Sequence, residues 1–543
     1  MRTMRVVTTA LALGAATAMI AIATVAPSAV AGSHPRRAPA KPGPGIIVDG
    51  LFEEPNLLNP AAGPGEVFSG IVMTSLFANL YSIPPDGKIT PQIATSLPTI
   101  TDGGKLYTFT LRHTEWNNGT PFTANDVVAT WHLITSKGFV AASLSGWSDI
   151  KAIHVLNPYK FTILLDKPFQ PLVADCFATD YPTIVPAQVF AHLTGKAANT
   201  ASYDHNPSIS NGPFEFKSWV PGVSITVVPN PHWFGPKPKA KEIVFEVVPN
   251  ENSLLADAQA HSINVFYFDP IEDVKQLAAI PGATVHFWAQ DSWEGIMLNL
   301  RDPFLRNVKV RQAMEMAINR QELISKVWGG RALPLAADQT KVSWAYNPAL
   351  KPWPYDPAEA KKLLAQAGFK MGANGYLEKG GKEFVLTYST TAGDPWRTLD
   401  QELVQYWFKQ IGIKTVIKDL PANAFFGTFL PAGTGWQMAE FEDLSGFDPE
   451  AGMVDTFQTG GVLNDGKFSN AQVDRLLLKA DYQTTQAARA ATLKAVEAII
   501  HQQLPILFLY SPEGIATSIN MTGYVPDPWM EDTWNCYDWA PKA

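Results

Sequence analysis

A chain of 543 residues exceeds what one ordinary core organises, so two or three domains are expected. Its composition, 46% hydrophobic and 17% charged, excludes an intrinsically disordered chain. A net charge of −8, with no basic stripe of interleaved aromatics, excludes a nucleic-acid partner held by phosphate contacts.

At the N-terminus Arg2 and Arg5 precede an apolar run over residues 6–25, and Ala29-Val30-Ala31 stands before Gly32. This pattern predicts a signal peptide over residues 1–31, with a single membrane-spanning anchor as the competing reading. Residues 32–44, rich in Pro, Ala and Arg, predict a flexible linker. Further on, Tyr107, Phe109 and Leu111 alternate with Thr108, Thr110 and Arg112, which is strand period. Asn118-Gly119 predicts a turn. Thr123 with Asp126 forms a capping box, and Val127, Trp131 and Ile134 then share one helical face. Residues 160–166, 225–228 and 243–248 are strand-like. Val310, Ala313, Met314 and Ala317 follow the spacing of a buried helix face, and Asn319 with Glu322 caps a second helix. Asp356, Pro357 and Gly368 suit the N-cap, first position and C′ of a short helix. Residues 375–382, GYLEKGGK, predict a hairpin; a phosphate loop would need Lys where Gly381 stands. Helical patterns continue over residues 400–410 and 471–501.

Five of these regions carry particular strings. They are YTFTLRHTEWNNGTPFTANDVVATWHLI (107–134), NGPFEFKSW (211–219) followed by Asn230-Pro-His-Trp-Phe-Gly235, RNVKVRQAMEMAINRQELISKVWGG (306–330), YDPAEAKKLLAQAGF (355–369) and FSNAQVDRLLLKA (468–480). In this order they resemble the blocks of the ABC-transporter extracytoplasmic solute-binding proteins of family 5, the oligopeptide/dipeptide/nickel-binding class. The resemblance implies an α/β, two-lobed periplasmic-binding-protein-like fold of type II, cluster C. The first lobe would span 45–284 with an extra subdomain at about 87–195, the second 285–509, and 510–543 would return to the first. It further implies a secreted or envelope-associated, monomeric receptor without cofactor, which captures a peptide-like solute and passes it to ABC permease subunits. Gram-positive members of the family usually carry a Cys directly after the signal peptide, and this chain has none there. Its two cysteines, Cys176 and Cys536, are candidates for a disulfide in an oxidising compartment, with two separate buried thiols as the alternative.

A secreted enzyme is the rival from another class. The chain has no Gly-x-Ser-x-Gly elbow and no His-Glu-x-x-His zinc helix, and its ten histidines are scattered, so neither a catalytic nor a metal set is expected. Glu440, Glu442 and Asp443 cluster as glycosidase carboxylates would, which keeps a glycoside hydrolase as the lesser alternative. In peptide-binding members of the family an Asp in a Trp-x-x-Asp-x-x-x-Pro arrangement holds the ligand's amine. The matching stretch here is FEDLSGFDP, residues 441–449, with Phe441 at the Trp position. Counting back from Pro449 puts the amine slot on Ser445, counting forward from Phe441 puts it on Leu444, and Asp443 is the nearest carboxylate. Either Asp443 receives an amine from a shifted loop or no free amine is recognised. Trp396, Trp436, Phe441 and Phe447 are expected near the cleft as aromatic faces, which would equally serve an oligosaccharide. Arg397 is a candidate for a ligand carboxylate, and Glu53, beside Pro55 and Asn59, is a candidate first-lobe contact.

Overall fold

A computed structural model describes residues 42–63, 67–179, 182–193, 195–199, 201–248, 250–267, 274–421 and 424–542. The predicted signal peptide and most of the linker lie outside the described residues.

A twelve-stranded mixed sheet runs through the molecule. In spatial order its main path is Lys414–Ile417, Val385–Ser389, Met438–Leu444, Ser292–Leu298, Ile506–Ile519, Val265–Tyr267, Ile46–Leu51, Glu242–Val247, Ser224–Pro229 and Phe214–Val220. Ala283–Ala289 and Ala332–Pro334 also pair with Ile506–Ile519. The strand Ile46–Leu51 is almost wholly buried and pairs parallel with both neighbours, which is why it reads as a nearly continuous apolar run.

Ile506–Ile519 is the long element of this sheet. Its first part pairs with Ser292–Leu298, from Met297 opposite Ile506 to Glu294 opposite Tyr510. Its second part pairs with Ala283–Ala289, from Ala289 opposite Glu513 to Ala283 opposite Ile519. The chain therefore crosses between two halves of the sheet twice, through this strand and through Gln290–Asp291 between the two partner strands. The cores divide in the same way. One apolar cluster draws on residues between Ile47 and Val265 plus Ala516 to Trp539; two others lie wholly between Trp293 and Tyr510.

The first half carries an additional four-stranded antiparallel sheet: Thr99–Thr101, Leu106–Thr110, Lys160–Leu165 and Ile150–Asn157. Its buried face is built from the period-2 residues, and the rings of Phe109 and Phe161 stack at 4.9 Å across it. Gly119 takes φ +79° in the turn that follows, a conformation open to Gly at low cost. The capping box of the next helix, Ala124–Ile134, is complete: the Thr123 amide donates to Asp126 at 2.7 Å and the Asn125 amide donates to the Thr123 hydroxyl at 3.3 Å. These bonds satisfy amides that the helix itself leaves open.

In the second half Val308–Ala317 buries Val310, Ala313, Met314 and Ala317, and Asn319 caps Arg320–Val327 by accepting from the Glu322 amide at 3.2 Å. Asp356 caps Pro357–Gln366, and Gly368 takes φ +89° two residues beyond it. Leu377–Lys379 and Lys382–Glu383 form the predicted hairpin. The helical pattern over 471–501 is two helices, Ala471–Asp481 and Gln486–Gln503. Thr485 breaks it because its hydroxyl accepts the Ala488 amide at 3.3 Å and starts a new helix.

A cleft between the two halves

A cavity of about 750 Å³ opens between the halves. One wall comes from the first half and the C-terminal return. It presents Trp147, Asp175 on the helix Leu172–Phe177, Tyr267, and the run Asp527-Pro528-Trp529-Met530-Glu531. The other wall is the end of the strand Met438–Leu444 and the loop after it, with Glu442, Asp443, Ser445, Phe447 and Asp448, joined by Phe426 and Arg397. Trp288 and Asp291 flank the chain crossing at the cleft floor. Gly514 lies opposite Trp288 in the sheet, where an added Cβ would come within 2.3 Å of the Trp288 ring, so a side chain there would displace the indole. Tyr267 and Trp288 stack at 5.7 Å, and Phe447 meets Trp529 edge-on at 5.3 Å across the two walls.

Seven carboxylates and one cation, Arg397, line this cavity among the described residues. Arg397 is 11% exposed and already engaged, with its guanidinium 3.1 and 3.3 Å from Glu294 and 2.9 Å from Asp394. Asp448 is held by Arg489, which donates to both its oxygens at 2.5 and 2.7 Å and also pairs with Glu450. Asp175 accepts from the Ser145 hydroxyl at 2.6 Å. Burial, and next the charge of Asp448, pushes Asp175 up to about 7. Burial also pushes Asp527 up to about 7 and Asp443 up to about 6, and carries Asp291 well above the ordinary range. Burial is the first cause of each of these four shifts, so Asp175, Asp291, Asp443 and Asp527 are held towards their neutral form near neutral pH.

Of the predicted site residues, the fold brings Arg397, Asp443, Ser445 and Phe447 to the cleft. The Ser445 hydroxyl donates to the Asp338 carbonyl at 2.9 Å and its amide to the Asp291 carbonyl at 3.0 Å, so this residue anchors the loop. Asp443 also lines the cavity, its Oδ1 accepting the Leu444 amide at 2.9 Å. Several expectations need correction. Trp436 is 1% exposed and belongs to a second-half core, because Met438–Leu444 is an interior strand of the sheet and Trp436 leads into it. Phe441 packs inward on Trp293 at 6.1 Å, and its neighbour Phe426 faces the cavity instead. Trp396 lies outside the cavity lining, between Trp328 and the Arg397 guanidinium. Glu53 is exposed and does not line the cavity, while Asn59 is buried and donates to Asp204 at 3.0 Å. Cys176 and Cys536 are two separate buried thiols in the first core, which corrects the candidate disulfide; Cys176 sits against the Ser145 carbonyl at 3.6 Å.

Asp175, Tyr267, Trp288, Asp291, Asp527 and Trp529 escape a motif-based reading, because each comes from a segment without a family string. The one local signal was the mixed acidic and aromatic run over 527–534. Among the described residues, no group of three or more His, Cys, Asp or Glu side chains is placed to hold a metal, and no helix is long and apolar enough to cross a membrane.

With this geometry, comparison with known proteins defines the class. The chain belongs to the bacterial extracellular solute-binding proteins, family 5, whose middle-segment model matches residues 88–460. Members of this family are solute-binding proteins rather than enzymes. The chain is 25% identical over 510 residues to the oligopeptide-binding protein AppA of Bacillus subtilis, covering 91% of each chain. It is 25% identical over 468 residues to heme-binding protein A of Haemophilus influenzae, covering 82% of this chain and 83% of that one. The structure of Bacillus subtilis AppA in complex with a nonapeptide superposes with a TM-score of 0.78 over 93% of this chain and 100% of AppA, at 24% identity. The periplasmic EDTA-binding protein EppA superposes at 0.83 over 94% of this chain and 98% of its own, at 18% identity.

Proposed function

We propose that this protein captures a short peptide-like solute between its two lobes and delivers it to an ABC importer. The observation that carries the reading is the cleft itself: about 750 Å³, walled by both halves, lined by aromatic rings and carboxylates. That volume lies within the range of about 300–1,000 Å³ typical of small-ligand sites. A solute touching both walls favours the closed arrangement, and only such differential affinity shifts the equilibrium towards closure. In this reading the lobes are 45–284 and 285–509, and 510–543 completes the first. The protein acts as a monomer outside the cytoplasm, with the solute's amine at Asp443.

The chain performs no hydrolysis in this reading. Glu440, one of the three clustered carboxylates, is 0% exposed and accepts the Tyr388 hydroxyl, so it cannot reach a glycosidic oxygen. Burial and the neighbouring Asp400 push it well above the ordinary range.

The test is a cycle of two proteins and two ligands by calorimetry. Asp443→Asn should weaken a free-amine peptide by about 1.5–3 kcal/mol, the worth of a charge-assisted hydrogen bond, and leave its N-acetylated form nearly unchanged. Equal losses for both ligands, or none for either, remove Asp443 from the site. A thermal-shift panel of peptides, oligosaccharides, nickel and haem tests the wider reading, which fails if only a non-peptide member stabilises the protein.

A further inference from the structure

We infer that the cleft selects a solute with at least two positive charges: a short peptide bearing a basic side chain in addition to its terminal amine. This rests on the peptide reading above and names the class of peptide.

Three observations carry it. The first is the charge balance of the lining. Arg397, the sole cation among the lining residues described, is spent on Glu294 and Asp394, so a ligand carboxylate finds no uncommitted guanidinium. Arg489 neutralises Asp448 from behind, and the other lining carboxylates face the cavity from both walls.

The second observation concerns two of those carboxylates. Asp291 is 5% exposed and Asp527 is 6% exposed, yet among the described residues no donor reaches the Oδ2 of either in hydrogen-bonding geometry. Their other oxygens are occupied: Asp291 accepts from the Thr340 hydroxyl at 3.3 Å and Asp527 from the Trp529 amide at 2.8 Å. A buried carboxylate oxygen without a donor is costly; these oxygens are covered from the cavity, but both residues line it, so a cation held there acts on each carboxylate across a thin low-dielectric layer. Asp527 belongs to the C-terminal return, and Asp291 lies at the chain crossing next to the second half. A cation set between them favours the closed arrangement, and a neutral side chain does not.

The third observation is the pair of aromatic contacts in the same cavity. Tyr267 with Trp288, and Phe447 with Trp529, present rings in the lining of the same cavity. Ring faces attract ammonium and guanidinium groups and add apolar cover for the methylene stem of Lys or Arg.

The experiment uses the mature chain and two tetrapeptides of equal length, Ala-Lys-Ala-Lys and its counterpart with norleucine at both Lys positions. Calorimetry in low salt should show the lysine peptide binding about tenfold tighter or more. Asp291→Asn and Asp527→Asn should each reduce that ratio several-fold. Glu442→Gln, at an exposed position where folding is not at stake, should reduce it as well and keeps the test decisive if the buried variants fail to fold. Equal affinities, or a preference for norleucine, overturn the inference and leave the peptide reading intact. Binding of spermidine with no binding of either peptide overturns both.

Discussion

The two walls of the cleft are both acidic, but they handle their charge differently. On the second-half wall Asp448 and the acids around Arg397 have counter-ions of their own, while Glu442 and Asp443 have no ion pair among the described residues. Arg489 holds Asp448 and Glu450, and Arg397 holds Glu294 and Asp394. On the first-half wall Asp175 rests on one serine hydroxyl and Asp527 on the Trp529 backbone amide, and among the described residues neither has an ion-pair partner. Internal compensation makes the paired acids rigid and indifferent to what enters, which leaves the response of that wall to Asp443 and Glu442. An uncompensated wall stores an electrostatic demand that a ligand can meet, because neutral side chains cannot replace the water it lost.

The largest effect should come from breaking compensation on the second wall. Arg489→Met leaves Asp448 and Glu450 buried without their partner, and stability should fall by about 3–5 kcal/mol in urea unfolding. A loss below 1 kcal/mol would mean that the two walls do not differ in this way.

The next effect is a pH dependence belonging to the first wall. Asp175 and Asp527 have folded pKa values raised to about 7. The unfolded chain ionises them in the ordinary carboxylate range, so between that range and about 7 the folded state binds more protons. Their contribution to stability is therefore greatest below the unfolded value and declines as pH rises towards 7. The unfolding midpoint of the ligand-free protein should fall across that window, and the double variant Asp175→Asn, Asp527→Asn should flatten the slope. A slope unchanged in the double variant would assign the effect to other carboxylates.

The smallest effect tests the lone support of Asp175. Ser145→Ala removes the hydroxyl that donates to it at 2.6 Å, which should cost about 1 kcal/mol and move the Asp175 titration, followed by NMR, to higher pH. A titration that stays in place would show that the hydroxyl is not what holds the charge.

Much of the architecture was legible before the structure. The Thr123–Asp126 box, the Asn319 cap, the Asp356-Pro357 start and the hairpin near Gly381 are interactions between residues a few positions apart, and period and capping chemistry report them directly. The break at Thr485 was legible too in principle, since the same capping chemistry marks it, but the apolar stripe on both sides masked it. The cleft was legible only where a family string crosses it, around Asp443 and Ser445.

What the sequence by itself determined is therefore the set of elements, their order and the family, because helix caps, strand alternation and ordered motifs are local properties of a chain. Tertiary structure decided which carboxylates keep a cation and which face the solute. Asp175, Asp291, Asp443 and Asp527 meet at one cavity only because Ile506–Ile519 and the crossing at Gln290–Asp291 tie the two halves together. Arg397, in the first turn of the helix Pro395–Gln410, pairs with Glu294 on the strand Ser292–Leu298, about a hundred residues away in the chain. Trp436 is core because an interior strand follows it, and Cys176 and Cys536 are separate thiols buried in the first core. Burial and ion pairing depend on distances between segments far apart in the chain, and those distances exist only once the sheet has formed.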